Sequence, residues 1–352
     1  MCLSSISLLA QTDSTKTKKR LKIRPLPVIV RSIETGWSFG GLLSATFHIK
    51  KEDTSVRTSN LQALALYSLK KQFVAAINGI TYFPREKYIV SYQFSYSSFP
   101  DKFWGLGKQA KETDEESYTF KQFYIFLHGQ MQLKNNFFFG LIYEYQQLTS
   151  VDYTAGGLFD VQNVAGRNGY HISGAGISAT YDTRNHAFVP DKGVFIQFYF
   201  NHFDKYLSSQ FSYTNYVVDM RKFLRVYKQQ VLALQLYGFF NGGDVPLRSL
   251  ASLGGANSMR GYYHGRYRDK NQIVFQSEYR LPIKARFGAD AFANCGDVSN
   301  SLNDFTFKDF KYSGGAGLRF ALDKKEKLNL RLDYGIGQGS NHGFYFQLGE
   351  AF

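Results

Sequence analysis

The sequence is poor in cysteine: Cys2 and Cys295 are the two thiols in 352 residues. So few thiols exclude a disulfide framework, and we expect no structural disulfide between these two. The paired-cysteine and His-Glu-x-x-His patterns that hold zinc are also missing. We therefore expect neither a metal nor a cofactor.

Long apolar runs are the second absence. Nothing in the chain approaches the roughly 18 consecutive apolar residues that a membrane-spanning helix needs. Glu, a good helix former, is scarce beside the 33 Phe and 25 Tyr, and these aromatic residues favour strands. The composition therefore predicts an all-β protein.

Signatures of nucleic-acid binding and of catalysis are missing too. The formal net charge is +14, but Lys and Arg are scattered through turns and loops and form no stripe, so we expect no nucleic-acid partner. A nucleophilic site needs Ser and His held together with an orienting acid or amide. The histidines include His171 and His264, yet no serine lies in an exposed elbow motif, so we expect no enzyme.

The first residues, MCLSSISLLAQTDSTK, contain a short apolar run over 3–10 that ends in a small residue. This resembles the back half of a secretory signal without its basic front end. We interpret 1–24 as a truncated signal-like segment and periplasmic tail, with a plain disordered tail as the alternative.

What the sequence does contain is alternation. In VLALQLYGFF, Leu232, Leu234 and Leu236 share one face, while Gln235 and Tyr237 lie on the other. Segments of about ten residues with this pattern are typical of a membrane barrel, whose outer face meets lipid and whose lumen is wet.

Sixteen such segments can be counted, an even number as expected for a bacterial barrel. They cover 25–33, 36–49, 60–68, 72–83, 87–98, 118–133, 137–148, 171–182, 194–206, 211–225, 231–240, 272–281, 285–295, 311–322, 328–335 and 344–352.

The connections carry a second pattern. Those after odd-numbered segments include the long ones, 99–117, 149–170, 241–271 and 296–310. Those after even-numbered segments are mostly short, which matches extracellular loops on one side and periplasmic turns on the other. The exceptions are the short first connection, around 34–36, and the longer second one, 50–59.

A soluble β-sandwich is the structural alternative, since it also uses alternating strands. Sixteen strands would then need two packed sheets or two domains, and no linker is visible. Phe352 also favours a barrel, because it shares the predicted lipid-facing parity of Phe344 and Phe346 in a closing aromatic strand. We therefore predict one transmembrane antiparallel β-barrel over 25–352.

Several ordered motifs resemble the barrel of the BamA/TamA family of outer-membrane assembly factors, also called bacterial surface antigens. They are ETGWSFGG, YDTRNHAFVPDKGVFIQF, SMRGYYHGRYRD, QSEYRLPI, FGADAFANCGDV, GGAGLRFAL, LRLDYGIGQ and FYFQLGEAF. The resemblance implies an integral outer-membrane protein of a Gram-negative-type bacterium. It also implies that the long loop with the motif Arg260-Gly261-Tyr262 folds back into the lumen, where Arg260 is an internal strut.

A buried guanidinium needs carboxylate or amide acceptors. Three candidates share a luminal parity: Glu278, Asp290 and Asn294. The family usually has an aspartate two residues after a phenylalanine, and this chain has Asn294 two residues after Phe292, so either Asp290 or Glu278 could take that place. Apart from the resemblance, a solvated loop arginine is the alternative interpretation of Arg260.

Glycines surround the motif. Gly254, Gly255, Gly261 and Gly265 permit the positive backbone dihedrals and close packing that a loop threaded into a lumen requires. No helix follows them, so we do not interpret them as a phosphate cradle.

A separate turn contains Asp182, Thr183 and Arg184, followed by Pro-Asp-Lys-Gly at 190–193. We expect these three residues to organise a periplasmic turn through hydrogen bonds from side chain to backbone.

Two functions remain open. The resemblance implies help in inserting outer-membrane proteins or translocating protein, by opening between the first and last strands and pairing with a client strand. The alternative is a passive pore or scaffold barrel. Only about 24 residues precede the first predicted strand, short of the 50 or so of a docking domain, so client handling would need a separate periplasmic partner. Outer-membrane lipids or lipopolysaccharide and client proteins are the other expected partners.

Overall fold

The computed structural model describes residues 21–49, 56–186, 189–323 and 328–352. Its strands, numbered in chain order, are β1 (Leu21–Ser32), β2 (Gly36–Phe47), β3 (Ser59–Ser68), β4 (Phe73–Tyr82), β5 (Tyr88–Phe103), β6 (Glu116–Lys134), β7 (Phe137–Asp152), β8 (Tyr170–Asp182), β9 (Gly193–Phe203), β10 (Tyr213–Tyr227), β11 (Gln230–Gly243), β12 (Ala251–Leu253), β13 (Tyr267–Asp269), β14 (Asn271–Lys284), β15 (Phe287–Ser299), β16 (Lys311–Asp323), β17 (Leu328–Gly337) and β18 (His342–Leu348).

Sixteen of these strands close into one antiparallel barrel. Each barrel strand pairs with the next along the chain, and β11 pairs with β14 because β12 and β13 form a separate two-stranded hairpin. The pairing of β1 with β18 closes the ring. The predicted sixteen-stranded barrel is confirmed.

The ends of the chain differ from the predicted bounds. β1 begins at Leu21, so the predicted signal-like segment 1–24 overlaps the first strand, and its residues 1–20 lie outside the described residues. The last strand ends at Leu348 and not at 352. No helix in the described part of the chain is long and apolar enough to span a membrane.

The strands bury one face and expose the other. On β10, Asn215, Asp219 and Phe223 are buried and face the lumen, whereas Tyr216 and Met220 face outward. A closed barrel satisfies the backbone hydrogen bonds of the wall, so apolar side chains can face lipid while polar ones fill the interior. This division explains how a chain with a mean hydropathy of −0.29 can build a membrane protein.

The connections separate the barrel into two ends. At the long-loop end lie the connections after β5, β7, β9, β11 and β15, the longest being 244–270. At the short-turn end, β6–β7, β10–β11 and β14–β15 are joined by two residues each, at 135–136, 228–229 and 285–286. The β2–β3 connection, 48–58, is the predicted exception, and its residues 50–55 lie outside the described residues.

Surface labelling tests this orientation. An epitope inserted after Thr113, in the long β5–β6 loop, should be labelled on intact cells, because long loops face the exterior. The sequence predicts no labelling at Lys324-Lys325, but these two residues lie outside the described residues. The matched insertion is therefore placed after Lys228, at the short-turn end. We expect no labelling there before permeabilisation. Equal labelling of both sites on intact cells would contradict the strand order.

Candidate functional site in the barrel lumen

The longest connection enters the barrel. Residues 244–270 leave β11, form the β12–β13 hairpin, with Leu253 opposite Tyr267, and return to β14. Leu253, Met259 and Tyr262 are fully buried and pack with Val274 of the wall. The connection is therefore a luminal loop and not a surface loop.

Arg260 lies in this loop and is completely buried. Its guanidinium donates to Glu278 at 2.6 Å and to Asp333 at 2.5 Å, and it stacks 3.6 Å from the ring centre of Phe292. Two carboxylates and a ring face can compensate the loss of water around a buried guanidinium. A solvated loop arginine, the alternative interpretation, does not match this geometry.

The pairs around Arg260 belong to a larger network. Glu278 also accepts from Arg280 at 2.7 Å and from Arg319 at 2.8 Å. Arg331 pairs with Asp333 at 3.2 Å, and Arg319 pairs closely with Asp290 and with Glu350 at 2.9 Å. The network thus contains four arginines and four carboxylates, which balance in charge: Arg260, Arg280, Arg319 and Arg331 with Glu278, Asp290, Asp333 and Glu350.

The structure sorts the three candidate partners of Arg260. Glu278 binds it directly, and Asp290 lies at 4.0 Å, nearer to Arg319. Asn294 is a wrong candidate: its amide donates to Ser313 at 3.0 Å, and its oxygen has no hydrogen-bond partner among the described residues.

Asp333 is the partner that the sequence analysis missed. It lies on β17, 73 residues after Arg260, and no local motif links the two. Counting parity within 328–335 could have found it, since Arg331 and Asp333 alternate with outward-facing leucines and are both buried. A buried charge on a barrel strand is a signal in itself, because it requires a partner.

Glycines make room for the motif on both sides of the contact. Gly261 has φ of +113°, and a Cβ there would lie 2.8 Å from the nitrogen of Gly337. On the wall, a Cβ at Gly335 would lie 2.7 Å from the carbonyl carbon of Arg260, and one at Gly337 would lie 2.7 Å from the Tyr262 ring. Loop and β17 therefore meet backbone to backbone, which only residues without a side chain allow.

Gly254 and Gly255 begin the same segment, with φ of +113° and +107°. A Cβ at Gly254 would collide with the carbonyl oxygen of Tyr263, and the nitrogen of Gly255 donates to Tyr262 at 3.0 Å. These two glycines therefore close the loop on itself beside the motif.

The residues after Arg260 contact β18 on one side of the β1–β18 junction and the β1–β2 turn on the other. Gly261 donates its backbone N–H to the hydroxyl of Tyr345 on β18 at 2.9 Å. The backbone N–H of His264 donates to Glu34, in the β1–β2 turn, at 2.7 Å. We call residues 260–264 the clasp, because they bind both sides of this junction.

Burial shifts the pKa values of two titratable groups that meet at the end of the clasp, Glu34 and His264. Burial raises the pKa of Glu34, although the hydrogen bonds that it accepts act in the opposite direction. Burial lowers the pKa of His264 to about 3, so the imidazole is neutral at physiological pH. The clasp therefore meets the β1–β2 turn through a backbone hydrogen bond and not through an imidazolium–carboxylate pair.

Asp101 of β5 is a second point at which the luminal loop, including the clasp, is bound to the barrel wall. Asp101 accepts from Tyr263 at 2.9 Å, from Arg248 at 3.0 Å and from Arg268 at 3.2 Å, all three from the luminal loop. Tyr118 of β6 adds a hydroxyl at 3.0 Å. The loop is thus held by charged groups at two separate places on the barrel wall.

The junction of β1 with β18 is short. Arg31 opposite Phe346 is the one register pair between these strands in the part of the chain that the structure describes. Continuing that register places Leu348, where β18 ends, opposite Ile29. Among the described residues, 25–28 of β1 therefore have no β18 residue opposite them, and we call this stretch the free edge. Pro25 and Pro27 lie within it.

The parity of Phe352 predicts that it faces lipid, and this prediction is wrong. The chain leaves the strand at Gly349, where φ is +88°, and turns into the lumen. There Phe352 is buried with Phe223 and Ala233, and its carbonyl accepts from Arg280 at 3.2 Å. The strand ends because the left-handed backbone at Gly349 interrupts the alternation on which the prediction depended.

The turn of Asp182, Thr183 and Arg184 lies at the short-turn end. Arg184 donates its backbone N–H to Asp182 at 3.1 Å, and Val194 donates its own to the Thr183 hydroxyl at 2.9 Å. Arg57, from the β2–β3 connection, reaches Asp182 at 3.4 Å. The turn thus anchors a neighbouring connection as well as itself.

Comparisons with known proteins agree with this architecture. A family model described as the Omp85 superfamily domain matches residues 66–352. The fold resembles BamA from Haemophilus ducreyi lacking POTRA domains 1–3, with a TM-score of 0.61 and 12% identity over 93% of this chain and 70% of that chain. A search of curated protein sequences finds no significant match.

Two CdiB structures are similar as well. CdiB from Acinetobacter baumannii gives a TM-score of 0.61 with 11% identity, over 94% of this chain and 60% of that one. CdiB from Escherichia coli gives 0.62 with 11% identity, over 94% and 63%. The chain spans less than two thirds of either CdiB chain, and at these identities the likeness concerns the fold.

Proposed function

The chain belongs to the Omp85 superfamily, and on that premise we propose that this outer-membrane barrel assists the insertion of outer-membrane proteins or the translocation of protein. The short β1–β18 junction carries the proposal. One register pair joins the two strands in the described part of the chain, whereas β17 and β18 pair from Leu330 opposite Leu348 to Ile336 opposite His342. A junction with so few ladder hydrogen bonds is the place where the barrel wall separates most easily.

The free edge gives a client strand somewhere to bind. An unpaired strand edge presents backbone groups that a second strand can extend, so that main-chain hydrogen bonds supply the affinity. The clasp lies directly inside this junction, with Gly261 on Tyr345 of β18 and His264 on Glu34 of the β1–β2 turn. We therefore assign to the clasp the role of holding the two sides in register while the free edge is occupied.

A passive scaffold barrel remains the second candidate. Pro25 and Pro27 favour it, because proline on a strand edge blunts pairing with another strand. A passive pore has less support, since the clasp and its arginines fill the lumen with buried side chains. Client proteins and a separate periplasmic partner belong to the insertion proposal alone.

Locking the junction distinguishes the two functions. Cysteines at Ile29 and Leu348, opposite each other by register, bring their Cα atoms within disulfide range in an antiparallel pair. In a background with Cys2→Ala and Cys295→Ala, oxidation should stop client insertion if the wall must part here. The measurement is the outer-membrane proteome after depletion of the wild-type protein, with and without reductant.

The matched control places cysteines at Leu332 and Phe346, which are opposite each other on β17 and β18. That crosslink joins strands that stay together when the junction opens, so the proteome should be unchanged. If efficient locking at Ile29 and Leu348 also leaves the proteome unchanged, the scaffold interpretation is correct and the insertion proposal fails.

A further inference from the structure

We propose that the outer wall beside the β1–β18 junction binds a phosphorylated, multiply acylated glycolipid of the outer leaflet. Two features of the wall carry the proposal: a group of cations at the long-loop end and an apolar trough deeper in the membrane. The proposal depends on the orientation of the barrel and not on client handling.

Arg31 is the central cation of the group, and we call Arg31, Lys70 and Lys71 together the head site. Arg31 lies opposite Trp37 on one side and Phe346 on the other, and since directly opposed residues share a face, it points outward with them. Its guanidinium lies 5.8 Å from the Trp37 ring centre and 5.9 Å from that of Phe344. Among the described residues it has no carboxylate partner.

A second cation lies near it. Lys70, in the β3–β4 turn, reaches across to donate to the carbonyl of Ile33 at 2.7 Å, which places its ammonium at the end of β1. The neighbouring Lys71 is exposed. Arginine forms forked hydrogen bonds with phosphate, and lysine binds phosphate as a point charge. The group therefore has the chemistry to bind phosphate at the level of the headgroups.

The trough lies on the same outer wall and has a volume of about 850 Å³. Small side chains line up there because each lies opposite the next on neighbouring strands, and aromatic rings close the far side. In order across β1 to β6 the row is Pro27, Gly41, Ala65, Ala75, Tyr96 and Phe123.

The distance from Arg31 to the trough fits within one leaflet of the membrane, so a single lipid can reach both. Pro27 lies four residues below Arg31 on β1, about 13 Å along a strand at roughly 3.3 Å per residue. That distance remains within one half of a hydrocarbon core about 30 Å thick. A lipid whose phosphate binds Arg31 and Lys70 can therefore lay its acyl chains in the trough.

The occupant is a glycolipid and not a phospholipid because the head site lies at the long-loop end. Long loops face the exterior in such barrels, so Arg31 meets the outer leaflet. Several acyl chains attached to one headgroup also fill a trough that crosses six strands better than the two chains of a phospholipid do. A free phosphate ion has no apolar part that could contact the trough.

Native mass spectrometry of the purified full chain in detergent tests the site. The probes are bis-phosphorylated lipid A, dephosphorylated lipid A and phosphatidylglycerol. We expect the wild type to retain the first, and Arg31→Gln with Lys70→Gln to weaken its binding about tenfold, as expected for loss of a charge-assisted hydrogen bond. Ala65→Leu with Ala75→Leu should weaken it similarly by filling the trough.

Matched variants control for charge and bulk. Lys222→Gln removes an exposed cation from β10 near the short-turn end, and Ala291→Leu with Ala316→Leu adds bulk at an opposed pair on β15 and β16. Both should bind lipid A like the wild type, and heat-modifiable migration in gels checks folding of every variant. Equal binding of dephosphorylated lipid A or phosphatidylglycerol, or unchanged binding by the head and trough variants, would overturn the proposal while leaving the junction experiment unaffected.

Discussion

Arg260→Ala is expected to release the luminal loop from the barrel wall. The substitution leaves Glu278 and Asp333 with one cation fewer in a network where four arginines balance four carboxylates. Removing one member of a buried pair costs on the order of 3–5 kcal/mol. The hydrogen-bonded wall should survive this loss, whereas residues 244–270 should become sensitive to protease. Limited proteolysis followed by mass mapping of the cuts measures the effect.

An ion pair on the protein surface provides the control for the Arg260→Ala substitution. Arg167 pairs with Asp160 at 3.0 Å on the β7–β8 loop, and both side chains are partly exposed. Exposed pairs contribute about 1 kcal/mol or less, so Arg167→Ala should leave proteolysis of 244–270 unchanged. If Arg260→Ala behaves like Arg167→Ala, the strut role assigned to Arg260 is wrong.

Double-mutant cycles identify the partners. Arg260→Ala combined with Glu278→Ala or with Asp333→Ala should protect the loop better than the sum of the single effects predicts, because each pair shares a direct contact. Arg260→Ala combined with Asn294→Ala should be additive, since Asn294 binds Ser313 instead. Coupling to Asn294 and not to Glu278 would contradict the geometry of the network.

Gly335→Ala is expected to expel the clasp without touching a charge. The new Cβ would lie 2.7 Å from both the carbonyl carbon of Arg260 and the nitrogen of Gly261, and backbone atoms on both sides prevent relaxation. Overpacking of this kind costs roughly 1–3 kcal/mol in well-packed interiors. The same proteolytic cuts in 244–270 should appear, and Arg260→Ala in this background should add little.

Gly129→Ala is the control for the glycine substitution. A Cβ at Gly129 meets nothing within 4 Å, so alanine is tolerated there on steric grounds. The loop should remain protected in this variant. Protection of the loop in Gly335→Ala as well would show that loop and β17 do not meet backbone to backbone.

The barrel could be predicted from sequence because a strand with lipid on one side and a wet lumen on the other must alternate. Leu232, Leu234 and Leu236 have that period, and β11 carries them outward as predicted. The β12–β13 hairpin could not be found in this way, because its strands have three residues each and β13 is buried on both faces. A stretch that short carries no measurable period.

The partners of Arg260 were harder to predict, for two reasons. Asp333 reaches Arg260 through closure of the barrel, which brings β17 beside the luminal loop across 73 residues of chain. Asn294 occupies the position where the family that this sequence resembles usually has aspartate. A neutral amide there does not compensate the buried guanidinium of Arg260 as a carboxylate does. The residues of the network follow from charge balance in the lumen and not from spacing.

Phe352 shows the limit of parity. Its alternation with Phe344 and Phe346 assumes a continuous strand, and Gly349 ends that strand by entering the left-handed region. A glycine in the sequence permits such a turn without requiring it. The direction taken after Gly349 is fixed by Arg280 and the pocket of Phe223, which are distant in sequence.

The two prolines of the free edge have a kinetic consequence. A proline in a paired strand keeps its nitrogen on the unpaired side, so Pro25 and Pro27 remove N–H donors from the side of β1 that faces away from β2. A strand arriving there must supply most of the donors itself, and the pairing it forms is incomplete. Such a complex has fewer bonds to break before it dissociates, so the edge favours short residence times and repeated turnover over permanent capture.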